Sequence, residues 1–213
     1  MRTLVSLALA ALVSTFLAAA PALADPQAGK DYKPVNPPLA TPKGKIEVVE
    51  FFSYGCPHCN DFHPLISQWA ARLPKDVSFR RVPVSFNRPE WARLSRIYFA
   101  LESIGELAKL DAAVFIAIHE QRVAFKNDEA VFSWVASKGI DGKKFADAYN
   151  AFSMGSNVQR GDQEATAARI GGVPALVVDG RYLVNNEAVS SFDQLLKLTD
   201  AIIDKARQEH KGK

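Results

Sequence analysis

Residues 45–52, "KIEVVEFF", restrict the fold of this 213-residue chain more than any other segment. Val48, Val49, Phe51 and Phe52 put β-branched and aromatic side chains on both faces of an extended run, the pattern of a central strand covered from both sides. Ser53 to Gly55 turn the chain, and Pro57 suits the first turn of a helix, where its missing N–H is not needed. Cys59, Phe62, Ile66, Trp69, Ala70 and Leu73 then recur every three or four residues, which predicts a helix that buries this face and stops before Pro74. A doubly covered strand feeding straight into a helix demands helices packed on a sheet, an α/β architecture.

The N-terminus sets the compartment. After Met1 and Arg2 no charge appears until Asp25, and the Ala/Leu-rich stretch between ends in Ala22-Leu23-Ala24, the small-x-small pattern of a signal peptidase site. An uncleaved anchor is the alternative; Ser6, Ser14, Thr15 and Pro21 favour cleavage after Ala24 and export across a membrane. The remaining 213 − 24 = 189 residues carry a net charge of +2, since only Arg2 is lost from the +3 total. That balance excludes a strongly basic nucleic-acid binder. With 48% hydrophobic residues the chain can bury a substantial core.

Both cysteines fall in "CPHC", at the strand-to-helix junction. As a structural staple a four-residue loop would contribute only about 2 kcal/mol. As a zinc site, Cys56, Cys59 and His63 supply three ligands with no second paired cluster to complete it. A redox pair fits the setting better. At the helix tip, free N–H groups and the helix dipole favour a thiolate on Cys56, lowering its pKa into the range of roughly 3.5 to 7.5. Cys56 is therefore expected to act as nucleophile and the inward-facing Cys59 to resolve the mixed disulfide, with His58 adding a donor or positive charge beside the thiolate. Glu50 interrupts the apolar strand. It is either compensated by a Lys or Arg or open to water, or it is a proton acceptor beneath Cys59 with a pKa raised by burial.

Downstream, "VSFRRVPVSF" (77–86) reads as a second strand, and from Pro89 the texture turns helical. Amphipathic stretches at 89–105, 106–122, 127–139 and 142–152 place Trp91, Phe115 and Trp134 in the packing and His119 in a structural position. A last long helix over about 157–170 precedes "GGVPALVVDGRYLV", a hairpin with Asp179-Gly180 as a two-residue turn and Pro174 opening its first strand. A terminal helix begins near Ser191 and fades into "RQEHKGK". Residues 25–44 read as a Pro-rich leader holding at most a short edge strand.

"EFFSYGCPHC", the helical block and "GGVPALVVDGRY" together resemble the DsbA family of periplasmic thiol-disulfide oxidoreductases, over about residues 30–206. The resemblance implies a thioredoxin-like domain, 45–88 and 157–213, carrying an inserted all-helical domain, 89–156. It implies catalysis by Cys56 and Cys59 with Pro57 and His58 between them, Glu50 as the buried acid assisting Cys59, and a cis Pro174 that leaves the Val173 backbone free to bind substrate. It also implies reduced, unfolded exported proteins as substrates, a DsbB-like quinone-linked membrane oxidase as partner, a monomer, and no cofactor or metal. His63, where well-known members carry an acid, and Asn60, where they carry an aromatic, depart from the pattern. The alternatives are an isomerase or reductase of the same chemistry, or a peptide-binding chaperone with a vestigial cysteine pair.

Overall fold

A computed structural model describes residues 25–212; the predicted signal peptide, 1–24, lies outside the described residues. Five strands, β1 (Tyr32–Pro34), β2 (Ile46–Phe52), β3 (Val77–Pro83), β4 (Ala175–Val178) and β5 (Tyr182–Val184), form one sheet in the order β1-β5-β4-β2-β3. β2 runs parallel to β3 and antiparallel to β4. The helices are α1 (Pro57–Ala70), α2 (Pro89–Ser103), α3 (Leu107–His119), α4 (Asp128–Ser137), α5 (Gly142–Tyr149), α6 (Ser153–Ala167) and α7 (Phe192–Lys211).

Every residue of β2 is buried, as its two-sided apolar run requires. Ile46 and Val48 pack with Phe62, Ile66 and Trp69 of α1 and with Ile202 and Ile203 of α7. On the opposite face, Val49 and Phe51 meet Ala165 and Ala168 at the end of α6. There α6 comes so close to β3 that a Cβ on Gly161 would lie 2.8 Å from the Pro83 carbonyl oxygen. A third core joins Phe52, Tyr54 and both cysteines to Leu101, Val114, Phe115 and Tyr149 of the helices α2 to α5. The strand-to-helix junction is thus clamped between the sheet and the helical block.

Four local expectations need correction. Helix α6 begins at Ser153 rather than near 157, because its buried positions Met154, Val158, Gly161 and Ala165 include small residues that leave a weak apolar signal. Helix α7 does not fade but continues to Lys211, where Arg181 and Lys205 both bind Glu209 and His210 binds Asp179. Helix α1 runs through Pro64 as expected but ends at Ala70, so Leu73, placed on its stripe, lies beyond it. In the hairpin Asp179 and Gly180 do adopt positive φ, 53° and 63°, and Arg181 N–H closes the turn on the Val178 carbonyl at 3.1 Å. Val178 nevertheless pairs with Tyr182, so Arg181 stands outside the ladder and the loop has three residues, not two.

Candidate functional site

Cys56 is the N-cap of α1, in an extended conformation (φ −94°, ψ 119°), with no side-chain cap on the helix. The helix's first N–H groups are therefore left for the sulfur. Gly55 before it is required by packing: a Cβ there would lie 2.8 Å from the Trp91 indole nitrogen. Both cysteines are free thiols. A hydrogen bond from the Cys59 thiol, then the backbone N–H groups of Cys59 and His58 and the charge of His58, lower the Cys56 pKa to about 6 against the opposing effect of burial. Cys59 is fully buried. Burial pushes its thiol far above the ordinary cysteine range, and its bond to Cys56 and the nearby Glu50 charge push the same way. One fold thus separates two chemically identical groups.

In its protonated form Cys56 donates to the Val173 carbonyl at 3.3 Å. The Val173–Pro174 peptide is cis. His58, exposed on the first turn of α1, lines a cleft of about 360 Å³ together with Gly172, Val173, Pro174, Asn186 and Phe192. Asn186 Nδ2 fixes the floor by donating to the Pro174 carbonyl at 2.7 Å. A second cleft of about 500 Å³, which shares Asn186 and Phe192, extends the surface past Leu65 and Val189. Pro57 is exposed at the helix start.

Glu50 is compensated by an arginine, not open to water. It is wholly buried, and its Oε2 accepts from Arg81 Nε at 2.6 Å. Burial nonetheless outweighs the Arg81 charge and hydrogen bond, and the Glu50 pKa lies above the ordinary carboxylate value. The parallel register that sets Glu50 opposite Arg81 accounts for the pairing. Arg81 Nη1 also donates to Asp111 Oδ2 on α3 at 2.6 Å, and the Tyr54 hydroxyl donates to Asp111 Oδ1 at 2.6 Å.

Arg81, Asp111 and Tyr54 were not singled out by sequence. The one available signal was a second charge interrupting an apolar strand pattern, Arg81, which mirrors Glu50. His63 faces this network rather than the sulfurs, its Nε2 3.7 Å from Asp111 Oδ2. Asn60 reaches only the neighbouring Asp61. His119 binds the Tyr54 carbonyl at 2.8 Å. Among the described residues no helix is long and apolar enough to cross a membrane.

The family model described as DSBA-like thioredoxin domain matches residues 47–197. The chain is 38% identical over 208 residues to the thiol:disulfide interchange protein DsbA of Pseudomonas aeruginosa, covering 97% of this chain and 98% of the relative. It is 40% identical over 205 residues to the protein of the same name from Bordetella parapertussis, covering 95% and 96%. Among solved structures, the crystal structure of Pseudomonas aeruginosa DsbA superposes with a TM-score of 0.82 at 36% identity, covering 87% of this chain and 96% of that one. The oxidoreductase DsbA of Xylella fastidiosa gives 0.79 at 33%, covering 86% and 98%.

Proposed function

Because the chain belongs to the DSBA-like thioredoxin family and is a thiol-disulfide interchange enzyme, we propose that it donates the Cys56–Cys59 disulfide to reduced proteins newly exported to the periplasm. A substrate thiolate attacks Cys56 Sγ. The Cys56–Cys59 bond breaks, Cys59 leaves with the electron pair and takes a proton, and Cys56 is joined to the substrate. A second substrate thiolate attacks the substrate's own sulfur in that mixed disulfide, so the substrate leaves oxidised and Cys56 leaves as a thiolate. Two electrons now reside on the enzyme. A quinone-linked membrane oxidase of the DsbB kind takes them when Cys56 attacks its disulfide and Cys59, giving its proton to Glu50, attacks Cys56 and restores the bond.

The observation that carries this reading is the opposite displacement of the two thiols, Cys56 to about 6 and Cys59 upward. A low-pKa leaving group makes the second transfer to substrate fast and favours the reduced enzyme, hence an oxidant. Pro57 and His58 hold the tip, and the Val173 backbone with Pro174 receives an extended client segment beside Cys56. Helices of the inserted segment 89–156 cover the buried side of a thioredoxin-like domain built from 45–88 and 157–213. The enzyme works as a monomer, released from its signal after Ala24.

Trapping tests the assignment. Exposed to a disulfide-bonded client, Cys59→Ser should accumulate covalent adducts and Cys56→Ser should not, because nothing inside the first variant displaces the client. Equal adduct yields overturn the assignment of roles. Refolding catalysis that survives Cys56→Ala would point to a chaperone instead.

A further inference from the structure

Behind Cys59 a line of charges runs from the interior to the protein's edge. Glu50 and Asp111 share one guanidinium, that of Arg81, which lies over the Phe52 ring at 3.8 Å. Glu50 Oε1 and Arg81 Nη2 are buried without a hydrogen-bond partner, so neither group is fully compensated. The outer carboxylate has one further neighbour able to change its charge, His63, whose ring packs on Phe115 and whose Nδ1 lies 3.4 Å from the Ser67 hydroxyl on the solvent side of α1. The side chains of His63 and Asp111 are 11% and 17% exposed, whereas Glu50 is sealed.

The remaining titratable groups nearby are accounted for. Tyr54 donates to Asp111, the Tyr98 hydroxyl donates to the Arg81 carbonyl at 3.4 Å with Glu102 beyond it, and His119 is held by the Tyr54 carbonyl. Strand β4 contributes only Leu176 opposite Glu50. Two carboxylates around one cation leave an excess negative charge in a low-dielectric interior. A proton on Glu50 cancels it, and so does a proton on His63. The two protons are alternatives, and such groups titrate together rather than singly.

We propose that Asp111 and His63 are positioning residues for the thiol-disulfide reaction, governing through Arg81 when Glu50 holds a proton and therefore when Cys59 can give one up. This rests on the role for Glu50 proposed above. Asp111 favours the protonated acid by adding a second negative charge. A proton arriving on His63 offsets that charge and releases Glu50 to act as a base. The Asp111 charge acts in the expected direction on both ends, raising the pKa of Glu50 and opposing the loss that burial imposes on His63.

The test is the pH profile of reoxidation by oxidised glutathione, in the concentration plateau where displacement of glutathione by Cys59 limits the rate. The wild-type rate should rise with pH through the titration of Glu50. Asp111→Asn removes the charge and keeps one acceptor oxygen, for either Tyr54 or Arg81, and His63→Lys sets a permanent cation against Asp111. Each should move the midpoint down by about one pH unit, the lower end of what one nearby charge does, and neither should move the rate in a Glu50→Gln background. Unmoved midpoints with a Glu50→Gln enzyme that has lost the rise overturn this inference alone. A Glu50→Gln enzyme that keeps the rise overturns the role of Glu50 and this inference with it.

Discussion

Acidification should invert which redox form of this protein is the more stable. Reduction removes a four-residue disulfide loop, a loss of about 1.9 kcal/mol by loop-closure entropy. It also creates the Cys56 thiol, whose folded pKa of about 6 lies below the ordinary unfolded value of about 8.5. For such a depressed acid the stabilisation is fully present above the unfolded pKa and is lost as pH falls through the folded one, so the window is roughly pH 8.5 down to 6. Linkage gives about 2.6 kcal/mol at pH 8, about 1.4 at pH 7 and less than about 0.1 at pH 5. Cys59, whose ionisation burial suppresses, subtracts only about 0.2 kcal/mol at pH 8.

The reduced form should therefore lead by roughly 0.5 kcal/mol at pH 8 and trail by roughly 1.8 at pH 5, crossing near pH 7.5. Water at the sulfur screens the charge and trims the thiolate contribution, moving the crossing upward. Urea midpoints of the oxidised and dithiol forms from pH 5 to 8, with unchanged slopes, measure the difference directly. A difference that is flat across this range would refute the reasoning, since it would mean that the helix tip does not hold a thiolate.

Two further predictions concern the scaffold. Gly161→Ala should destabilise by about 1 to 3 kcal/mol, because its methyl group meets the Pro83 carbonyl at 2.8 Å and Val82 at 3.2 Å; a shift in urea midpoint reads this out. Asp162→Ala should cost about 2 kcal/mol and expose the loop before α2 to hydrogen exchange, because Asp162 accepts from the Ser85 hydroxyl and from the Ser85 and Phe86 amides while Phe86 and Asn87 sit at positive φ.

The centre of the site was legible because it is local. A two-sided apolar strand, a turn, a proline and a helical stripe within residues 45–73 suffice to put Cys56 at a helix tip and Cys59 beneath it, and Asp179-Gly180 marks its own turn. What surrounds Cys59 was not legible. Glu50 meets Arg81 through a parallel pairing of strands 31 positions apart, and Asp111 arrives on a helix 30 positions further on. Arg81 shows only as a charge interrupting a strand pattern and Asp111 has nothing that distinguishes it from a solvated charge, and only the docking of α3 against α1 brings them together. The apolar stripe through Pro64 outweighs the rule that ends helices at proline, because the neighbouring turns are packed on the sheet.

The two outer strands of the sheet matter for an enzyme whose proposed substrates are unfolded chains. One is β1, three residues long and ending in Pro34; the other is β3, which ends in Pro83 and carries Arg81 turned inward and Arg80 bound to Glu47 and Glu164. Short length, terminal prolines and inward charges are the devices that keep a sheet from templating other strands. An extended chain laid along either border meets an interrupted row of donors and acceptors, so the sheet is poorly suited to nucleating aggregates.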